Sequence, residues 1–406
     1  MKNLLTPKKI IILLCIFFYI LVLLSGWTAI NKGQHGRDFA TYYYANKISE
    51  KGENPYYTPN LSKQSKKEKT RKSVHPFFYP PPSLLFFYWT STFSLFTSYQ
   101  IFFVLSQFCF GIILWFSREW FRISWIYLLV LACTFTPMQN TMVMGQVNVL
   151  VVLLLLYALR YHNGIALACA GMIKMSPVYI MFQWMMEHRW SVVIHTVIVA
   201  IILSSFSLLF MDVTTQLRFY IDVLPSFSSG NYNGLRVPIT LPANHSMPDI
   251  WNQIFPGPND KTLSTTAKQG SGIVSFILLL GLLYCTSLWK GDKSSKYLSG
   301  AFVVLFVITP IYTYEHHLAF AIIPILFLLE GLSKEEIKSP NIKYIVVVIY
   351  FFLAWPLWML RSLQNENTIW NWLLQESKFF ALLLLFFLCI YVAYSKRNRS
   401  DFTANR

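Results

Sequence analysis

The sequence predicts an all-α protein that crosses a membrane many times, and two observations carry this prediction. Of its 406 residues, 55% are hydrophobic and 13% are charged, whereas charged residues make up about a quarter of a typical soluble domain. Apolar stretches long enough to cross a bilayer as helices, about 20 residues each, recur from one end of the chain to the other. Together these observations argue against a water-soluble fold.

Hydropathy predicts about ten full transmembrane helices. They fall near residues 10–30, 99–117, 124–138, 145–161, 191–210, 271–289, 297–313, 317–332, 342–360 and 376–395. Of two further apolar stretches, residues 77–96 contain Pro80–Pro82, and residues 164–186 contain Lys174 and Pro177. Because proline lacks a backbone N–H and unpaired backbone groups are costly in lipid, both stretches are predicted to be bent or re-entrant.

Basic residues in short connectors predict the orientation. Connectors such as 117–122, 187–190 and 289–296 carry Lys and Arg, and they alternate with near-neutral turns such as 139–145. The positive-inside rule then places both termini in the cytoplasm. The protein is therefore predicted to be a multi-pass protein of the inner or plasma membrane.

This orientation places the longer polar segments on one side of the membrane. The chain is predicted to form one polytopic domain over residues 1–406. Its outer-face loops are residues 31–76, followed by the re-entrant stretch 77–96, and residues 211–270. Because the inner connectors are short, the active site is expected on the outer, periplasmic or extracellular, side.

One segment opposes the predicted orientation. Residues 62–72 read SKQSKKEKTRK, a strongly basic run within the first outer loop. Such a run is either an ordinary solvated loop or a surface that holds anionic lipid headgroups or an anionic glycan. The sequence leaves its role open.

Asp38 is the first carboxylate of the chain and follows closely on the first apolar stretch. It lies in GRDFATYYYAN, residues 36–46, beside Arg37 and ahead of Tyr42 and Tyr43. A carboxylate at the membrane boundary can accept a proton from a hydroxyl group of a lipid-borne substrate. The alternative interpretation is a surface Arg–Asp pair at the start of a helix.

Two adjacent histidines form the second candidate group. His316 and His317 lie in TPIYTYEHHLAF, residues 309–320. Histidines at the outer end of a span can bind a phosphate as hydrogen-bond donors, or a metal. They can equally be polar anchors at the membrane interface, and Glu315 is a candidate partner that fixes a histidine tautomer.

The second outer loop supplies a third candidate group. Residues 233–255 contain Arg236 and Asn244 among prolines and glycines. The segment is either an ordinary loop or a lid or wall over a site.

Intramembrane charge is scarce, and this bears on the class of protein. The predicted full spans carry no carboxylate well inside an apolar stretch, and Lys174 is the one clearly intramembrane charge. Coupled transporters place ionisable groups near the bilayer midplane, so the transporter class is disfavoured. No Asp-x-Asp pair, HExxH motif or Gly-rich phosphate loop occurs, which argues against a nucleotide-sugar enzyme that works through a bound metal.

Six segments, taken in chain order, resemble the polyprenyl-phosphate-sugar-dependent glycosyltransferases of family eighty-seven, within the C-type membrane superfamily. They are GRDFATYYYANKISEKGENPYY, FFYPPPSLLFF, GQVNVLVVLLLLYALR, AGMIKMSPVYIMFQWMMEHRW, LPANHS and TPIYTYEHHLAF. The family's motif positions fall on Asp38, Gly145, Gln146, Asn148, Lys174, Pro177, His316 and His317. The sequence departs from the family at Thr309–Pro310, where Ser-Pro is usual.

The resemblance implies the C-type glycosyltransferase fold and a reaction. The expected reaction transfers a hexose, often mannose in this family, from a polyprenyl phosphate to a hydroxyl of a lipid-linked or envelope glycan, with inversion. The leaving phosphomonoester is a stable anion, so no metal or other cofactor is expected. The expected partners are the donor, the acceptor and membrane lipids. No nucleic acid is expected, and the oligomeric state stays open.

The resemblance also implies roles for individual residues. Asp38 is the expected general base, and His316 or His317 is expected to hold the leaving phosphate, with Arg37 and Arg236 as lesser candidates. The residues expected to bind substrate are Arg37, Tyr42, Tyr43, Lys174, Arg236, Asn244, His316 and His317.

Two other functions remain as alternatives. A flippase or transporter of lipid-linked sugars would depend on Lys174 rather than Asp38. A protein like an O-antigen ligase or polymerase would use pyrophosphate-linked donors and outer loops rich in Arg and His, which these loops fit less well.

Overall fold

The computed structural model of the protein describes residues 7–32, 36–228, 239, 243–259, 261–288, 292–356 and 368–404. In this part of the chain every regular element is helical and no strand occurs. The predicted all-α class is therefore confirmed.

The α-helices are numbered here in chain order. They are α1 Pro7–Asn31, α2 Arg37–Ser49, α3 Thr58–Lys67, α4 Ser83–Phe87, α5 Leu95–Phe121, α6 Trp125–Thr134, α7 Thr136–Met144, α8 Asn148–Tyr161, α9 Gly164–Ile173, α10 Tyr179–Met186, α11 Trp190–Phe206, α12 Val213–Arg218, α13 Leu224–Ser228, α14 Met247–Ile254, α15 Thr265–Ser287, α16 Asp292–Ile308, α17 Ile322–Ser333, α18 Pro340–Ala354, α19 Ile369–Gln375 and α20 Ser377–Ala404. Short 3₁₀ segments cover Tyr88–Thr92, Ser176–Val178, Ser207–Leu209 and Glu315–Ala321, and a π-helical turn covers Phe219–Val223.

Six helical stretches among the described residues are long and apolar enough to cross a membrane. They are Lys8–Asn31, Leu95–Phe121, Trp190–Leu209, Thr265–Ser287, Glu315–Ser333 and Ser377–Ser395. Each coincides with one of the predicted spans. These stretches support an integral, multi-pass membrane protein.

The other four predicted spans are shorter or bent, so ten full spans are not confirmed. Residues 124–138 cover α6 and only the start of α7, two helices that meet at an angle of 56° and count as a seventh span only if taken together. The predicted turn 139–145 is wrong in part, because α7 continues to Met144. Pro137 near the start of α7 explains the break, because proline cannot continue a helix from the preceding turn. The remaining three, α8, α16 and α18, have apolar parts of only 10–17 residues, whereas about 20 residues cross the hydrocarbon core.

Both interrupted stretches are broken at the prolines or at the lysine. Within 77–96, Pro80–Pro82 lie outside any helix and α4 begins only at Ser83, after them. Within 164–186, α9 ends at Ile173, and Lys174 has extended backbone angles, φ −149° and ψ 121°. The extended residue turns its side chain away from the helix axis and toward the interior.

Packing brings four separate parts of the chain together. Helix α2 packs against α3, α4 and the segment Tyr88–Thr92, while α7 and α8 pack against the segment Glu315–Ala321. The turn between α7 and α8, residues 145–147, therefore lies between the first polar segment and the paired histidines.

Gly145 closes α7 in a place that only glycine can occupy. Its φ is +72°, and an added Cβ would lie 2.6 Å from the Cβ of Phe39 and 2.9 Å from the ring of Tyr99. We expect Gly145→Ala to lower the free energy of unfolding by about 1–3 kcal/mol, measured as a lower thermal midpoint in detergent. Gly281→Ala, in the middle of α15 with open space around its Cα, is the control and should not lower it. Equal midpoints for the two variants would contradict this account of Gly145.

Glu376 connects α14 to the start of α20 and gives stability a pH dependence. Its Oε1 accepts a hydrogen bond of 2.9 Å from Gln253, and its Oε2 is buried without a partner among the described residues. Burial raises the pKa of Glu376 from 4.5 to about 7. The folded state therefore holds this proton more tightly than the unfolded state, so stability falls as pH rises from 4.5 to 7 and levels off above.

The matched variant Glu376→Gln removes this proton while keeping the shape of the side chain. We expect the thermal midpoint of the wild type to fall relative to that of Glu376→Gln as the pH is raised from 5 to 8. The expected loss of wild-type stability relative to the variant over this range is up to about 3 kcal/mol. A difference that is constant across this pH range would contradict the prediction.

Candidate functional site

A cavity of about 1720 Å³ lies among the membrane helices and the segments between them. Four of the residues singled out in the sequence line it together: Asp38, Lys174, His316 and His317. Its polar wall also includes Thr41, His75, Tyr79 and Gln146. The cavity thus combines a carboxylate, an ammonium group and imidazoles contributed by distant parts of the chain.

Asp38 lies in the first turn of α2, where an acidic residue is favourable because backbone N–H groups point out of the helix. The preceding Gly36 has φ +83°, and an added Cβ would lie 2.5 Å from the ring of Tyr99. This turn aims α2 so that Asp38 lines the cavity. The carboxylate of Asp38 interacts electrostatically with Lys174 and His316. Its Oδ2 has no hydrogen-bond partner among the described residues.

Thr41 and His75 form the wall next to Asp38. The hydroxyl of Thr41, one helical turn after Asp38, donates a hydrogen bond of 3.2 Å to the backbone carbonyl of His75. This bond holds the segment that follows the basic run against α2. The sequence analysis missed His75, because an isolated histidine before a proline carries no motif.

Tyr42 supports the site from behind rather than from the cavity wall. Its hydroxyl lies 2.6 Å from the hydroxyl of Tyr79 and 3.0 Å from Oε1 of Gln146, and Tyr79 lies 3.1 Å from the same Oε1. Burial raises the pKa of Tyr42 well above its ordinary value, so the phenol stays protonated as a donor. Tyr79 and Gln146, which line the cavity, are the members of this cluster that a ligand can reach.

Two other predicted substrate-binding residues do not line the cavity. The hydroxyl of Tyr43 donates to the carbonyl of Phe93 at 3.1 Å, and its ring lies 4.8 Å from the ammonium of Lys47. Asn244 is fully buried; its Nδ2 donates to the carbonyls of Ile239 and Ile311, each at 2.9 Å. The structure thus places both side chains in bonds to the protein itself.

The two predicted arginines cannot be placed. Arg236 lies outside the described residues, and of Arg37 only the backbone is described.

Lys174 projects into the cavity from the break between α9 and the segment Ser176–Val178. Its Nζ donates a hydrogen bond of 2.8 Å to Oδ1 of Asn148 and lies 5.5 Å from the centre of the Phe320 ring. A lysine ammonium has three N–H donors. One bond to a neutral amide therefore leaves two of these donors available to a ligand.

His316 and His317 both face the cavity, with ring centres 4.3 Å apart. They belong to the 3₁₀ segment Glu315–Ala321. Nδ1 of His317 accepts a hydrogen bond of 3.2 Å from the backbone N–H of Tyr314, so in the neutral ring the proton is on Nε2. The ring of His317 also has a hydrogen bond with the backbone of Tyr312.

The carboxylate of Glu315 interacts with Lys378 and with His245. Its Oε1 forms a short buried ion pair with Nζ of Lys378, and its Oε2 lies 3.5 Å from Nε2 of His245. Thr136 Oγ1 lies 3.3 Å from the same Oε1. Burial lowers the pKa of His245, so its ring is neutral near neutral pH. This group joins α7, the 243–246 segment and α20 directly behind the paired histidines.

The remaining walls of the cavity are largely apolar. One face of α1 contributes residues three and four positions apart: Phe18, Leu21, Val22, Ser25, Gly26 and Ala29. Val178, Tyr179 and Phe182 of the α10 region and Gly272 and Ser275 of α15 also line it. The cavity therefore offers long apolar surfaces along membrane helices beside one polar centre.

Among the described residues, no three His, Cys, Asp or Glu side chains lie together in a way that could hold a metal ion.

The fold supports an integral membrane protein, and its cavity combines a polar centre with apolar walls. Among known families, the sequence model of glycosyltransferase family 87 matches residues 77–257, which supports that family for this chain and, with it, a membrane glycosyltransferase. The matched part contains Tyr79, Gln146 and Lys174, whereas Asp38 and the paired histidines lie outside it. Neither the curated proteins nor the solved structures gave a match.

Proposed function

We propose that this protein transfers a hexose from a polyprenyl-phosphate sugar to a hydroxyl of a lipid-linked or envelope glycan acceptor, with inversion. Mannose is the proposed sugar, because it is common in the family that the sequence resembles. The observation that carries the proposal is the shared cavity: an Asp38 oxygen without a hydrogen-bond partner among the described residues lines it with Lys174, His316 and His317.

Asp38 is the proposed general base. The acceptor hydroxyl gives its proton to the Asp38 carboxylate as its oxygen attacks the anomeric carbon from the face opposite the phosphate. The bond between that carbon and the phosphate oxygen breaks, and the electron pair leaves with the phosphate. A base that takes a proton in the transition state is what such a displacement requires.

Lys174 and the paired histidines are proposed to hold the phosphate. Cationic and N–H donors directed at a leaving group stabilise the charge that develops on it, and they do so most strongly in a site from which water is excluded. The ammonium of Lys174 is a donor of this kind, and the ring of His317 lines the same cavity. His316, 4.3 Å from His317, is the second imidazole available to the phosphate.

The apolar walls support a lipid-borne donor. A polyprenyl chain needs a continuous apolar surface that begins at its phosphate, and the α10 residues follow Lys174 directly in the chain. Tyr179 and Phe182 line the same cavity as Lys174. We place the site on the outer face of the membrane with both termini in the cytoplasm, on the basis of the positive-inside rule.

The reaction is proposed to need no metal, and chelation tests this. We expect initial rates to be unchanged when the purified protein is treated with EDTA and then assayed with EDTA present, because the phosphomonoester leaves as a stable anion and Lys174 supplies positive charge. The control is addition of Mg²⁺ or Mn²⁺, which should not raise the rate. Activity lost with EDTA and restored by Mg²⁺ would contradict the prediction.

The proposed donor is tested with purified protein, radiolabelled polyprenyl-phosphate mannose and a membrane-lipid extract as the source of acceptor. We expect the label to appear in a new glycolipid. If mannose is not transferred, other polyprenyl-phosphate hexoses are assayed in the same way. No transfer from any of them, with protein that remains folded, would overturn the proposed function.

A further inference from the structure

The side chain of Asn148 connects two of the groups that line the cavity. Its Oδ1 accepts a hydrogen bond of 2.8 Å from Nζ of Lys174. Its Nδ2 donates a hydrogen bond of 2.7 Å to the backbone carbonyl of His316. Asn148 is fully buried and begins α8, so a single amide joins the end of α9 to the segment that carries the histidines.

The position of this amide is itself fixed from both sides. The carbonyl of His316 also lies 2.9 Å from the hydroxyl of Thr141 on α7, so it has two polar neighbours. Helix α8 begins directly after the turn of Gly145, whose left-handed conformation places α7 and α8 against the same segment. Asn148 therefore has little freedom to move.

The bond to Asn148 decides where the ammonium of Lys174 lies. Lysine has four rotatable side-chain bonds, and holding it in one geometry costs rotamer entropy that a fixed partner can compensate. An amide oxygen holds the ammonium without cancelling its charge, whereas a carboxylate at the same place would form an ion pair with it. A neutral partner thus does not cancel the charge that the ammonium presents to an anionic ligand.

We propose that Asn148 is a positioning residue: it holds the Lys174 ammonium at a fixed distance from the histidine segment, so that the phosphate of a lipid donor meets a preformed cationic site. This inference rests on the proposed function for the identity of the phosphate. Asn148 itself does not touch the substrate in this account and acts through Lys174 and His316.

The test compares two probes that differ only in the phosphate. Binding of undecaprenyl phosphate and of undecaprenol to the purified full-length protein is measured for the wild type and for Asn148→Asp. The variant keeps the size of the side chain and the acceptor for Lys174. It loses the donor to the His316 carbonyl, and its carboxylate forms an ion pair that cancels the charge of the ammonium. We expect undecaprenyl phosphate to bind about 10- to 100-fold more weakly, the range of a lost charge-assisted hydrogen bond, while undecaprenol binds as it does to the wild type.

Two further variants separate positioning from a general structural effect. Asn163→Asp makes the same substitution at the N-terminus of α9, where the side chain caps the helix by accepting from Ala166, and it should change neither affinity. Lys174→Met should lose the same phosphate affinity as Asn148→Asp, and the double variant Asn148→Ser with Lys174→Met, which adds no carboxylate, should lose no more than Lys174→Met alone. If Asn148→Asp does not fold, Asn148→Ser, which can keep only one of the two bonds, is used and should give a smaller loss of the same kind.

Each outcome bears on the inference. Unchanged binding of undecaprenyl phosphate by a folded Asn148 variant would overturn it, as would equal weakening of both probes, which indicates a structural role only. Additive losses in the double variant would also overturn it. If the wild type does not bind undecaprenyl phosphate more tightly than undecaprenol, the proposed donor fails and the inference fails with it; binding by the wild type with no effect of the variants rejects the inference alone.

Discussion

Replacing Asp38 by Asn is expected to reduce sugar transfer by about 10²–10⁴-fold, the contribution of a well-positioned base. Asn keeps the size and shape of the side chain but cannot accept a proton from the acceptor hydroxyl. Because the loss concerns the chemical step, kcat should fall while the affinity for undecaprenyl phosphate stays near that of the wild type. The measurement is steady-state transfer together with binding of the phosphate probe.

Asp212→Asn is the matched control for this substitution. Asp212 caps α12 by accepting a hydrogen bond of 2.9 Å from the backbone of Thr215, it is exposed, and Asn is an equally good cap. This variant should retain full transfer. Wild-type kcat in Asp38→Asn would reject Asp38 as the base, and loss of phosphate binding in that variant would indicate a role in binding instead.

Replacing Lys378 by Met is expected to cause the largest loss of stability. Lys378 is fully buried, and its ion pair with the buried Glu315 joins α20 to the segment before the paired histidines. Removing one partner leaves the other charge buried and unpaired, which typically costs about 3–5 kcal/mol. The expected result is a strongly lowered thermal midpoint in detergent.

A double variant distinguishes loss of the pair from loss of packing. In Glu315→Gln with Lys378→Met, no charge is left unpaired, so the double variant should be more stable than Lys378→Met alone. Lys343→Met, at an exposed position on α18, is the control and should change the midpoint little. A Lys378→Met midpoint equal to that of the control would show that the buried pair does not matter to the fold.

Much of the architecture could be predicted because it depends on local sequence. Continuous apolar stretches such as Leu95–Phe121 become long helices, and the breaks at Lys174 and in 77–96 follow from the residues at those places. Hydropathy sums apolar character but does not detect a break in a helix, which is why residues 124–138 were expected as one span despite Pro137. Hydropathy also does not determine how long a helix is, and α8 is too short to be a full span.

The site could be predicted only in part. Asp38, Lys174, His316 and His317 were found because charged or ionisable residues are conspicuous among apolar ones. Their position on one cavity depends on packing between helices far apart in the chain, which no local pattern contains.

The supporting residues illustrate the same limit. Lys378 lies 63 residues after Glu315, its partner, and nothing in either segment indicates the pairing. Tyr43 and Asn244 have side chains typical of substrate contacts, yet their bonds are to Phe93, Ile239 and Ile311. A polar side chain in a motif can hydrogen-bond the protein's own backbone as readily as it can contact a substrate. Only its hydrogen-bond partners in the structure distinguish these two roles.

The measurement that tests the central claim most directly follows a labelled donor in sealed proteoliposomes that contain the purified protein and an acceptor lipid extract. Transfer by an inverting enzyme predicts a labelled glycolipid whose new anomeric configuration is opposite to that of the donor, with one polyprenyl phosphate released for each sugar transferred. Donor that crosses the bilayer with its sugar still attached, and no new glycosidic bond, would contradict the account and identify a transporter instead.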